Sequence, residues 1–338
     1  MKLPLARNID AFARSPMTSL SRQAATRLAL CVLATALAVA SVGAAALDLR
    51  PEQVRIAVDV PGASSMLAGV FVPNGNGPFP VLLYSHGRSG TSSEREHTRI
   101  LDVRSHVRYW LGKGFAVVMP IRPGYGETGG DDREDSGVTL DIFGNCWGRP
   151  TFDHAAAAAA SAVLATLDWV RDQPWADRNR IVLAGASMGG LASIAAAAEN
   201  PPGVVAYINF SGGTGGDGTR APEHSCGSEA MESLMRTLGR ANRVPGLWLY
   251  AENDRFWGSE WPRAWYRAFR EGADITHFVM TDPVPNSDGH QLLARGGQLW
   301  TSPVDSFLAQ RGIWRSTSSA RDGSLGGLDA AREPQKSE

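Results

Sequence analysis

Apolar residues in this chain recur in two alternating patterns. Short runs rich in β-branched residues read as buried strands: Val54–Val60, Ala68–Val72, Val81–Tyr84, Phe115–Met119, Arg180–Ala184, Val204–Phe210, Leu247–Tyr250 and Ile275–Thr281. Longer stretches between them carry helical patterns, over Glu94–Lys113, Ala155–Val170, Leu191–Ala198, Ser228–Arg243 and Trp261–Glu271. Strands linked by crossover helices predict an α/β domain: a mostly parallel central sheet of about eight strands, flanked by helices on both faces. Pro61-Gly62 predicts a turn between the first two strands. Asp153 stands where it would cap the alanine-rich helix, and alanine is the best helix former. The Gly- and Asp-rich stretch from Glu127 to Pro150 lacks periodicity and predicts a surface excursion, with Asp131–Asp135 as a solvated loop.

The two ends depart from this pattern. Arg7, Arg14, Arg22 and Arg27 precede an apolar run from Leu28 to Val42, followed by Gly43-Ala44-Ala45-Ala46. A basic stretch, a run of about fifteen apolar residues and small residues at a cleavage point are the layout of a secretory signal. The run falls short of the roughly 20 residues of a membrane span, so no stable span is expected once the signal is removed. Residues 1–46 are therefore predicted as a signal peptide, 47–314 as the folded domain and 315–338 as a disordered tail poor in apolar residues. The expected location is exported, periplasmic or secreted.

Composition narrows the class. The chain has 338 residues, 43% of them hydrophobic, enough for a large core, and a net charge of −1. No long basic tract is present, which argues against a nucleic-acid partner. Removing the signal leaves Cys146 and Cys226. An oxidising compartment permits them to pair, and a disulfide between two loops over the site is expected; two separate buried thiols are the alternative. A zinc site is disfavoured, because His224 and Cys226 have no further ligand cluster beside them in sequence.

The chemistry centres on Gly185-Ala186-Ser187-Met188-Gly189-Gly190, which lies between a predicted strand and a predicted helix. Gly-x-Ser-x-Gly in that context puts a serine on a sharp, strained turn, and small neighbours let strand and helix approach. The helix amino terminus then favours developing negative charge. A serine hydroxyl needs a base within hydrogen-bond reach, and the base needs a third group to hold its tautomer. His290 follows the last strand in the polar turn Ser287-Asp288-Gly289-His290 and is the expected base. Asp254 stands just past the strand Leu247–Tyr250 and is the expected acid, with Glu252 as close rival and Asp282 and Asp288 as weaker ones. His277 lies within a strand and is expected to pack there. The oxyanion hole needs two N–H donors. Met188, after the nucleophile, should give one; Arg88, in the turn Ser85–Gly90, should give the other, with Gly87 as alternative. Phe143, Trp147, Trp257 and Trp261 fall near site loops; ordinary packing is expected over an acyl pocket.

The segments His86-Gly87, Arg122-Pro123-Gly124-Tyr125-Gly126, Arg180–Gly190, Asp254 and Gly289-His290 resemble the α/β-hydrolase superfamily, and more narrowly its dienelactone-hydrolase-like and serine esterase members. The resemblance spans about residues 54 to 312. Dienelactone hydrolases are similar but carry a cysteine where this chain has Ser187. The resemblance implies hydrolysis of a carboxylic ester, on a small-molecule substrate, with neither metal nor organic cofactor. A peptidase or acyltransferase using the same three residues is a rival reading, and a non-catalytic binding module on the same fold is a more distant one.

Overall fold

The computed structural model describes residues 49–60, 62–100, 104–272 and 275–314. The signal peptide and tail expected from the sequence lie outside these residues. Twelve strands are present among them: β1 (Glu52–Val60), β2 (Ala63–Phe71), β3 (Phe79–Ser85), β4 (Ala116–Pro120), β5 (Val138–Leu140), β6 (Cys146–Gly148), β7 (Ala176–Ala186), β8 (Val204–Phe210), β9 (Gly216–Asp217), β10 (Ala221–Ser225), β11 (Gly246–Ala251) and β12 (Thr276–Thr281). The helices are α1 (Ser92–Glu96), α2 (Arg104–Gly112), α3 (Phe152–Arg171), α4 (Met188–Ala198), α5 (Ser228–Ala241), α6 (Glu260–Arg270), α7 (Leu292–Arg295) and α8 (Gly297–Gln310).

Eight strands form one sheet in the order β1-β2-β4-β3-β7-β8-β11-β12. The first two junctions, β1–β2 and β2–β4, are antiparallel. Every junction from β4 to β12 is parallel. Parallel strands bury both faces under crossover helices, which is why their sequences are continuous apolar runs. Side chains alternate across the sheet. Val81, Leu83, Ile181, Leu183, Trp248 and Tyr250 face α3, α4, α5 and α6. Leu82, Tyr84, Val182, Ala184, Leu247 and Leu249 face α2 and α8.

The alanine run is a packed helix, as expected: Ala155, Ala159, Ala162 and Val163 of α3 are buried. Helix α4 is buried along its whole length, and its alanines allow a close approach to the sheet. The helix expected over residues 94–113 is two shorter ones, α1 and α2. Asp153 is not the cap of α3. Thr151 holds the cap position, and Asp153 falls in the first turn, where its charge favours the positive helix end. His277 does not pack into the sheet either. It is exposed on β12, and Arg311 Nη2 donates to its Nε2 at 3.0 Å.

The excursion after β4 is more structured than its composition suggested. Its strands β5 and β6 form an antiparallel hairpin, Val138 opposite Gly148 and Leu140 opposite Cys146. Inside the acidic run, Glu134 is buried and Asp132 is paired with Arg88 and Arg95. That segment is therefore not a solvated loop.

His106 on α2 is fully buried and accepts a hydrogen bond from Trp110 Nε1 on its Nε2 at 2.8 Å. Burial pushes its imidazole down from 6.5 to about 3. The folded state keeps it neutral, while the unfolded chain takes up a proton below about pH 6.5. Stability is therefore full above that pH and falls as pH drops towards 3, by up to about 1.4 kcal/mol per pH unit. Urea unfolding at pH 7, 6, 5 and 4 should show His106→Gln, which keeps an acceptor for Trp110, losing that share of the acid slope. Equal slopes in both proteins would contradict this assignment.

Candidate active site

The parallel register brings three strand ends to one edge. Ser85, the last residue of β3, pairs with Gly185 of β7, and Gly185 pairs with Asn209 of β8. Beyond β7 the chain turns into α4 through Ser187, whose φ is 55° and ψ is −124°. A non-glycine residue in that region costs on the order of 1–3 kcal/mol and persists only where its surroundings fix it. The fixing contacts are specific. Ser187 N donates to Phe210 O at 2.9 Å. Ser187 O accepts from Gly190 N at 2.9 Å and Leu191 N at 3.1 Å.

The glycines of this turn are required by space. A Cβ on Gly185 would overlap the Gly189 carbonyl, and one on Gly189 would overlap the Ser85 carbonyl. Gly190 lies equally tight against Asn209 Oδ1. The motif is thus the sequence trace of β3, β7, β8 and α4 meeting with no room for a side chain.

Asp254 and His290, the acid and base expected from the sequence, lie side by side. His290 Nδ1 lies 3.2 Å from both carboxylate oxygens of Asp254. Asp254 is fully buried, and the His290 side chain is 8% exposed. The carboxylate also accepts from Phe256 N at 2.8 Å and Trp257 N at 3.3 Å. The rival acids serve elsewhere. Glu252 pairs with Arg263 at 3.2 Å on the surface, Asp282 is exposed, and Asp288 Oδ1 accepts from the amides of His290 and Arg255 at 2.9 Å. Phe256 stacks on the His290 ring, with centroids 4.0 Å apart, and the buried Trp257 meets it edge-on at 5.5 Å.

Ser187 stands on the same carboxyl edge of the sheet as this pair. The hydrogen bonds among the described residues join His290 to Asp254 but do not join Ser187 Oγ to His290. The two sides share Trp257: its Nε1 donates to Ser211 O at 2.8 Å, and its ring lies against Gly213, whose amide donates to Ser187 O at 3.3 Å. Catalytic hydrogen bonds in ligand-free sites are often long and tighten when substrate binds.

On the other side of Ser187, Gly87 passes so close that a Cβ there would lie 3.4 Å from Ser187 Cβ. Met188 opens α4, where amides have no partner within the helix. Arg88 sits in the β3 turn as expected, and its guanidinium grips Asp132 through two bonds of 2.6 and 2.7 Å. Burial opposes the Arg88 charge, but Asp132 more than offsets it and holds the group above its ordinary range. Met188, next in the chain, and Gly87, across from it, thus flank the serine.

Several contributors were missed in the sequence reading. Asn253 clamps the loop that carries the base: its Nδ2 donates to Ser287 O at 2.9 Å, and its Oδ1 accepts from Val284 N at 2.9 Å. Glu134 and Phe256 were not singled out either, and Arg122 was named only within a segment that carries the resemblance, with no role of its own. Asn253 had a local signal, standing beside the chosen acid; Glu134 had none within its acidic run.

Cys146 and Cys226 form a disulfide, the preferred expectation. It ties the β5–β6 hairpin to the segment before α5. His224 Nε2 lies 3.4 Å from Cys146 Sγ. With both sulfurs in the bond, these three side chains cannot act together as thiolate and imidazole ligands. The aromatic residues divide. Trp257 is buried and Trp261 packs against the core, but Phe143 is 80% exposed and Trp147 is 62% exposed on the hairpin. Ordinary packing therefore does not describe those two.

No curated protein sequence matches the chain. A family model described as X-Pro dipeptidyl-peptidase (S15 family) matches residues 62–219, a span that holds the nucleophile turn. Among solved structures, the esterase Pf2001 of Pyrococcus furiosus is similar at 12% identity, covering 79% of this chain and 92% of its own, with a TM-score of 0.52. A second crystal form of that esterase gives 14% identity, 79% and 91% coverage, and a TM-score of 0.52. A structure described as a dienelactone hydrolase from Klebsiella pneumoniae is similar at 18% identity, 78% and 97% coverage, and a TM-score of 0.47. The eight-stranded, mostly parallel sheet, the strained serine turn between β7 and α4, and the likeness to the Pf2001 esterase structures together show the α/β-hydrolase fold.

Proposed function

We propose that the chain is a serine hydrolase that cleaves carboxylic esters of small molecules through an acyl-enzyme on Ser187. The observation that carries this reading is the buried Asp254–His290 pair at 3.2 Å on the same sheet edge as a serine held at φ 55°. A His290 tautomer that donates Nδ1–H to Asp254 leaves the Nε2 lone pair free to take a proton from Ser187. The hydroxyl oxygen attacks the acyl carbon, and the developing oxyanion rests on the amides of Met188 and of Arg88 or Gly87. His290 gives the proton to the departing alkoxide. Water, deprotonated by the same imidazole, then releases the acid. Asp254 stays ionised and stabilises the imidazolium through both steps.

A second reading, amide cleavage by the same groups, is favoured by the family match over residues 62–219. We propose export as well. The basic and apolar segment over residues 1–46 and the Cys146–Cys226 disulfide support it. No helix among the described residues is long and apolar enough to cross a membrane.

A fluorophosphonate should label wild-type protein at Ser187 and leave Ser187→Ala unmarked, as read by peptide mass mapping. In the same preparation, short-chain nitrophenyl esters should turn over faster than X-Pro nitroanilides; the reverse ranking would establish the amide reading. A protein that takes no label would contradict both.

Asp254→Asn should hold the imidazole in the wrong tautomer and lower kcat by about 10⁴-fold, with KM little changed. A loss below about tenfold in steady-state ester kinetics would show that Asp254 does not orient the base.

A further inference from the structure

Beneath the β3 turn lies a polar network that the reaction as described does not use. Arg122 follows β4 and is fully buried, and the Glu134 side chain is 3% exposed. The guanidinium binds that carboxylate through two nitrogens, Nε to Oε1 at 2.5 Å and Nη2 to Oε2 at 2.9 Å. Its remaining nitrogen, Nη1, turns to the other side, donating to Ser85 Oγ at 2.8 Å and to the His86 carbonyl at 2.5 Å. The Arg122 amide donates to His86 Nε2 at 3.0 Å, and His86 Nδ1 bonds the Gly87 carbonyl at 2.7 Å. With Nε2 accepting, the His86 proton lies on Nδ1 and points at that carbonyl. Tyr125 OH donates to Glu134 Oε2 at 2.7 Å, and the Tyr125 ring meets His86 edge-on at 4.6 Å.

Every bond on the far side of Arg122 therefore ends on Ser85, His86 or, through His86, Gly87. These are the residues that bring the turn against Ser187. A buried guanidinium is costly unless a carboxylate satisfies it, and Glu134 is that carboxylate. Without it, the arm gripping the turn would carry an unpaired buried charge and would relax towards water.

We propose that Glu134, acting through Arg122, is a positioning residue for the oxyanion hole, setting the place of the Gly87 and Arg88 amides relative to Ser187. This rests on the Ser187 hydrolase reading. Glu134 touches no reacting atom; its contribution is geometric. The loss of one oxyanion donor typically costs about 10²–10³-fold in turnover, which bounds the effect.

The test compares wild type, Glu134→Gln and the apolar pair Arg122→Met with Glu134→Leu, using a nitrophenyl ester across a pH series. A buried ion pair can often be replaced by apolar residues without loss of stability, so the pair variant separates folding from positioning. We expect Glu134→Gln to lower kcat by about thirtyfold or more, with KM within about twofold. The apolar pair should recover thermal stability relative to Glu134→Gln while its kcat stays low. The acid-limb pKa of kcat/KM should match wild type in both, because the His290–Asp254 pair is untouched. A boronic acid inhibitor, whose serine adduct carries the same negative charge, should weaken in parallel with kcat.

A folded Glu134→Gln with kcat within threefold of wild type overturns the proposal. So does an apolar pair that regains both stability and turnover, or an acid limb that shifts with the variant. If Glu134→Gln does not fold, the apolar pair carries the decision. Wild-type protein that neither turns over ester nor takes a fluorophosphonate overturns the Ser187 reading itself, an outcome distinct from all of these.

Discussion

The site depends on one close approach: α4 starts so near the end of β3 that Gly189 has no room for a side chain beside the Ser85 carbonyl. That contact forces the chain to reverse within a residue, and Ser187 takes up the reversal at φ 55°. The strain is supported by backbone bonds to Phe210, Gly190 and Leu191, so it is distributed over β8 and α4 and not relieved locally. A serine so held cannot withdraw into the core. Its hydroxyl stands at the sheet edge, beside amides with no partner in the helix.

The same edge gathers the other groups because the strands are parallel. The parallel strands β3, β4, β7, β8, β11 and β12 all end there, and each following loop starts there. What differs is how each loop is fixed. The loop carrying His290 is clamped by Asn253 and capped by Asp288, and Gly289 passes within contact distance of the Asp254 amide. The β3 turn is held from below by Arg122 and from the side by the Arg88–Asp132 pair. Buried charges do this where backbone bonds cannot, because a turn has no ladder to belong to.

Much of this was legible in the sequence, for definable reasons. Glycine spacing around Ser187 records a steric requirement, so it survives as a motif. The order of Ser187, Asp254 and His290 follows from strand order, which hydrophobic runs reveal. Glu134 was not legible: it stands in Asp131-Asp132-Arg133-Glu134-Asp135, and only the fold shows which carboxylate is buried. Phe143 and Trp147 misled in the opposite sense, since large aromatics suggest a core and these two stand in solvent on the β5–β6 hairpin. Asp153 lost the cap of α3 to Thr151 by two residues, the scale on which helix ends are ill-defined from sequence.

The most direct measurement of the central claim is a crystal structure of the protein carrying a phosphonate adduct. The account predicts the phosphorus bonded to Ser187 Oγ and its charged oxygen about 3 Å from the amides of Met188 and of Arg88 or Gly87. It also predicts His290 Nε2 within hydrogen-bond reach of an adduct oxygen. An adduct whose oxygen faces solvent, with the His290 ring still out of reach, would contradict it.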